Sequence, residues 1–146
     1  MSKKKFKKPK HKKTSPIAKA KEEITINQSD FLSFSLKYFQ IKTPKFCFDN
    51  CNNHYYINLL ERLKSLCSIT ITDFYNNRSA SLRSHKIDWN DSRVTEKSFG
   101  LANENQLVSA PYQFQISANE YGRVHGFIIN NTFYIRWLDP EHNLYT

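Results

Sequence analysis

Apolar and polar side chains alternate through Phe34, Ser35, Leu36, Lys37 and Tyr38, which predicts a half-buried strand within residues 31–39. Pro44 stops it, because proline cannot donate to a strand ladder. Phe46 and Phe48 flank Cys47 and predict a second short strand over 45–48, able to fold back as a hairpin. From His54 to Cys67 the period changes. Tyr56, Leu59, Leu60, Leu63, Leu66 and Cys67 recur at helical spacing, with Glu61, Arg62 and Lys64 off the stripe. Asn52 and Asn53 offer its cap. A shorter element is predicted over 68–77, opened by Thr70 with Asp73 at capping-box spacing, and with Ile71, Phe74 and Tyr75 toward the core. Residues 78–111 carry no clear period. A stretch that long is functional or locally folded, and Trp89 and Phe99 are its expected anchors. Three strands then follow, at 112–116, 122–129 and 132–138, with Asn130 and Asn131 closing a two-residue hairpin. On the last strand Phe133, Ile135 and Trp137 alternate with Tyr134, Arg136 and Leu138. One row is expected on the helices, and Arg136 on the opposite face, within reach of a ligand. The fold class read from this order is α+β: N-terminal strand or strands and two helices packed on a C-terminal three-stranded antiparallel meander.

The chain has 146 residues, enough for one domain and a tail, and its 11 Phe and 8 Tyr can fill a core. No apolar run approaches the ~18 residues of a membrane span. The Lys-rich start is not followed by an apolar segment, so it does not read as a secretory signal, and a cytoplasmic location is expected. The net charge of +9 is unevenly placed: residues 1–21 hold ten Lys and no acid, leaving 12 of the 22 Lys and Arg against all 13 Asp and Glu, a net of −1. Residues 1–22, with Lys3, Lys4, Lys5, Lys7 and Lys8 at their head, therefore read as a disordered arm that seeks polyanions, and 23–146 as a single domain. The blander alternative is a solubilising tail. Three cysteines, Cys47, Cys51 and Cys67, do not suggest a disulfide framework. Their spacing with His54 is not that of a zinc site, so buried reduced thiols and no metal are expected. Three glycines exclude a Gly-rich phosphate loop, and no nucleotide or other cofactor is called for.

Metal-free RNA cleavage needs a base for the 2′-OH, a cation for the phosphorane and an acid for the 5′ oxygen; histidine suits either proton role and arginine suits the phosphate. Of five His, His11 lies in the arm and His54 opens a helix, leaving His85, His125 and His142. Arg123 and His125 share a strand face and can act on one ligand; the bland alternative is a surface strand pair. Arg83 and His85 lie in a donor-rich loop segment, where sites are often carried; the alternative is a solvated loop held by Trp89. For His142, after Pro140, the alternative is an exposed turn residue.

A small chain with an Arg-bearing sheet whose last strand runs into His142 and Tyr145 resembles the RelE-type toxins, messenger-RNA endonucleases of toxin–antitoxin systems. Residues 112–116, 122–129 and 133–145 carry the resemblance. It implies roles at the scissile phosphate for His142 and Tyr145 and phosphate contacts from Arg123 and Arg136; apart from the resemblance, the residues themselves nominate His125 for catalysis and Arg83, His85 and the arm lysines for holding RNA. It also implies messenger RNA, free or on the ribosome, and an antitoxin protein as partners. The loop 78–111 and the basic arm depart from the compact toxins, and Gly122 to Gly126 matches no motif of theirs. The other reading is a non-enzymatic nucleic-acid-binding accessory protein that draws its affinity from the arm.

Overall fold

A computed structural model describes residues 30–77, 79, 82–118 and 120–146. The arm lysines Lys3, Lys4, Lys5, Lys7 and Lys8 lie outside the described residues. The elements in chain order are β1 (Ser33–Ser35), α1 (Asn53–Leu66), α2 (Ile71–Asn76), β2 (His85–Lys86), α3 (Glu104–Leu107), β3 (Pro111–Gln115), β4 (Arg123–Ile129) and β5 (Thr132–Asp139). They form an α+β fold with a five-stranded mixed sheet in the order β1-β5-β4-β3-β2. β1 runs parallel to β5, with Phe34 opposite Phe133, and the other pairs are antiparallel. Asn130, at φ 56°, turns β4 into β5. Its short polar side chain tolerates the left-handed region that the tight turn requires.

Helix α1 starts where Asn52 accepts the Tyr55 amide at 3.2 Å, and α2 where Thr70 accepts the Asp73 amide at 3.1 Å. The face α1 buries is turned from the expected one: Tyr55, Leu59 and Leu66 are buried, whereas Leu60 is 65% exposed and Cys67 lies open to solvent. Cys47 is exposed too, so these two thiols are not core residues. The first predicted strand shrinks to three residues, and 45–48 is not a strand. Phe46 is instead a core anchor, stacked on Trp137 with ring centroids 4.4 Å apart.

The sheet is covered on both sides. Tyr55, Leu59, Leu66 and Phe74 of the helices pack with Phe114, Val124, Phe133 and Ile135 on one face. Phe46, Ile87, Val94, Phe99 and Leu144 cover Phe127 and Trp137 on the other. The segment expected as a long loop supplies most of this second layer. Asp88 and Asp91 accept the amides of Asn90 and Arg93, and the Glu104 carboxylate accepts those of Phe99 and Leu101. These local bonds satisfy backbone donors that regular structure would otherwise have taken. Trp89 meets Phe99 edge-on at 5.1 Å.

A bulge divides β5. His125 pairs with Trp137 but Gly126 with Ile135, which leaves Arg136 as the extra residue. The alternation reverses there: Phe133, Ile135 and Leu138 belong to the helix-side core, Trp137 to the other. The expected row of Phe133, Ile135 and Trp137 is thus split between two cores. Arg136 is partly buried, its guanidinium tied to backbone carbonyls. Its Nε donates to the Phe99 carbonyl at 3.0 Å and its Nη1 to that of Tyr38 at 2.9 Å.

Candidate functional site

β4 begins at Arg123 and β5 ends at Asp139, directly opposite each other. Beyond Asp139 the chain must turn, because Pro140 has no amide to continue the ladder. Asp139 organises that turn. It is fully buried, and its Oδ1 accepts the Asn143 amide at 2.7 Å while Oδ2 accepts that of Leu144 at 3.0 Å. Oδ2 also accepts from Nε2 of the fully buried His125 at 3.1 Å. Burial alone pushes the Asp139 pKa up, but His125 and the two amides outweigh it and hold the carboxyl below its ordinary range. Burial likewise disfavours the His125 imidazolium more than Asp139 favours it, so this imidazole is pushed down and stays neutral at pH 7.

The turn is sealed from the other side. Leu144 is fully buried, the Thr95 amide donates to its carbonyl at 2.8 Å, and Val94 bridges Tyr145 in antiparallel fashion. Asn143 Nδ2 reaches the Lys45 carbonyl at 2.8 Å. His142 stands exposed at the apex in the left-handed region, φ 60°. Tyr145 is half-buried. Burial raises its pKa, with Asp91 adding to the rise against Arg123 and Arg93, so the hydroxyl keeps its proton.

Arg123 is the charge at the centre of this end of the sheet. Burial lowers its pKa, Arg83 lowers it further, and Tyr145 and Asp139 counteract; an arginine so perturbed is still a cation at neutral pH. The Leu82 carbonyl accepts the Gln115 amide at 2.7 Å, which fixes Arg83, at φ 40°, beside the end of β3. Arg83, Arg123, His142 and Tyr145 therefore gather at one end of the sheet, around the buried His125–Asp139 pair.

His125 lies inside the protein, beside the stacked Phe46 and Trp137 rings, rather than on a ligand-facing surface. His85 sits on edge strand β2, its ring nitrogens bonded to the Lys86 carbonyl at 2.8 Å and the Gln113 amide at 2.6 Å. Arg136 lines a separate open depression of about 480 Å³ with Lys45, Thr95, Lys97 and Ser98. Tyr134 stacks on Phe127 at 5.4 Å. Sequence reasoning missed Asp139 as a site residue. Its signal was an acidic residue closing an apolar strand immediately before a proline, at a position where burial demands partners.

Among the described residues no three His, Cys, Asp or Glu side chains group as a metal site, and no helix is long and apolar enough to cross a membrane. Comparison with protein-family models, with curated proteins and with solved structures gives no match.

Proposed function

We propose that this protein is a metal-independent endoribonuclease of the RelE toxin kind, acting in the cytoplasm on messenger RNA and neutralised by a partner protein. The observation that carries the reading is that Arg83, Arg123 and Tyr145 lie at one end of the sheet, with His142 exposed on the turn there. The order β1, α1, α2, β3, β4, β5 supports the RelE-like arrangement, with β2 and α3 as additions.

Each residue suits one part of the chemistry. His142 is the exposed imidazole at the site and moves the proton: as base it takes it from the 2′-OH and, so protonated, returns it to the 5′ oxygen as the phosphorus–oxygen bond breaks. Arg123, flanked by Arg83, offsets the charge that grows on the phosphorane. Tyr145, held protonated by burial, donates to a phosphate oxygen. His125 and Asp139 are too deep to meet RNA and act on the site from below. The Lys-rich arm raises the local concentration of RNA without choosing its sequence.

Brief induction in a bacterial host, followed by sequencing of RNA ends, tests the reading. Growth arrest with new internal 5′ ends is expected, relieved by His142→Ala or Arg123→Ala. Harmless expression with intact RNA overturns it. The second reading, nucleic-acid binding without cleavage, is favoured by the placement of ten Lys in residues 1–21 and a net of −1 in the rest. It predicts that deleting residues 1–22 removes binding while His142→Ala changes nothing.

A further inference from the structure

We infer that His125 and Asp139 are a positioning pair: a neutral imidazole donates through Nε2–H to the Asp139 carboxylate, which in turn holds the 139–145 turn, and with it His142 and Tyr145, at the Arg123 end of the sheet. The hydrogen bonds themselves argue for it. Asp139 has three nitrogens directed at its two oxygens, namely His125 Nε2 at 3.1 Å, the Asn143 amide at 2.7 Å and the Leu144 amide at 3.0 Å. The two backbone amides require an acceptor at each oxygen, which suits a carboxylate and not an amide, and against a carboxylate Nε2 must donate. Buried charge is tolerated where such donors converge on it.

The imidazole tautomer follows. A proton on Nδ1 instead would leave an Nε2 lone pair facing a carboxylate oxygen. It would also bury an N–H without an acceptor, since Nδ1 has no hydrogen-bond partner among the described residues. The Nε2–H form avoids both costs. The stacked Phe46 and Trp137 rings pack beside the imidazole, with centroids 6.2 and 6.4 Å away. The mechanical consequence lies in the next residues. His142 sits at φ 60°, in the left-handed region that few residues other than glycine adopt and that histidine tolerates better than most, and its own amide reaches the Asp139 carbonyl only weakly, at 3.4 Å. The strong bonds to the carboxylate lie on the two residues just after it, so the carboxylate sets where His142 points.

The consequence for catalysis rests on the proposed RNA cleavage, but the positioning itself does not. Three measurements on the full chain test it. Nitrogen-15 NMR of the wild-type protein should show His125 as the Nε2–H tautomer at pH 7; an Nδ1–H tautomer or an imidazolium overturns the pair without any variant. Hydrogen exchange should show the Asn143 and Leu144 amides exchanging at least tenfold faster in His125→Ala, with the amides of β3 and α1 still protected. His125→Gln, whose amide N–H can stand where Nε2–H stood, should restore most of that protection. Unchanged exchange at 143 and 144 in a folded His125→Ala, or no difference between the Gln and Ala variants, overturns the inference. In cleavage assays His125→Ala should lower kcat at least tenfold with KM little changed, and His125→Gln should recover it. Should the wild type leave RNA intact, the exchange and tautomer results still decide the positioning claim, and only the ribonuclease reading falls.

Discussion

His142 and Asp139 sit three residues apart and have opposite surroundings. One is displayed on a turn, the other is buried with three donors converging on its carboxylate. That contrast separates the group suited to proton transfer from the group that holds it in place. The pair beneath the turn also sets a pH dependence. His125 is pushed below its ordinary 6.5, so on acidification the unfolded chain binds a proton that the folded one refuses. Stability is full above about pH 6.5 and falls as the pH drops below it. Asp139, held below its ordinary 3.8, adds a further loss in stronger acid. Thermal or urea unfolding between about pH 8 and 4 should therefore show stability declining from about pH 6.5 downward, and His125→Gln should flatten that first decline. Stability that rises on acidification through this range contradicts the assignment.

At the scale of elements, the bulge in β5 decides most of the geometry. Gly126 lies at the irregularity, where an added Cβ would run into the Tyr134 carbonyl and come within 2.6 Å of Phe133 Cε1. Backbone cannot yield as a flexible side chain can, so Gly126→Ala should destabilise the fold by several kcal/mol, on the order of a severe core defect. Chemical denaturation checks this, and a loss under about 1 kcal/mol contradicts the packing described. The hairpin around Asn130, the caps at Asn52 and Thr70 and the period of α1 were legible in the sequence, because each is a local rule written in adjacent residues. The bulge was not. Strict alternation from Phe133 to Leu138 hides an extra residue that only the pairing with His125 and Gly126 reveals. Lys45 to Phe48 failed for a related reason: an apolar–polar–apolar triplet fits a strand as well as it fits a loop anchored by Phe46 against Trp137. The convergence of Arg83 with Arg123 is set by the hydrogen bond between Leu82 and Gln115, which are far apart in sequence and joined by no local pattern.

For the whole molecule, charge and chemistry are divided. Residues 1–21 contribute ten Lys, and the rest of the chain is close to neutral. If the arm supplies most of the bonds to phosphate, deleting residues 1–22 should weaken RNA binding and flatten its dependence on salt, by about 0.7 in slope for each phosphate that the arm had neutralised on a single strand. Filter binding across a salt series measures this, and an unchanged slope removes the arm from the account. The sheet end then carries what the arm cannot, an exposed imidazole on the turn and a partly desolvated arginine at the start of β4. The central claim is tested most directly by incubating the purified full-length protein and its His142→Ala variant with RNA, both free in the absence of divalent metal and on translating ribosomes, and mapping the ends produced. The wild type should leave 2′,3′-cyclic phosphate and 5′-hydroxyl ends, and the variant should cut about 10²–10⁴-fold more slowly while remaining folded. Intact RNA in both settings, or equal cutting by the two proteins, contradicts it.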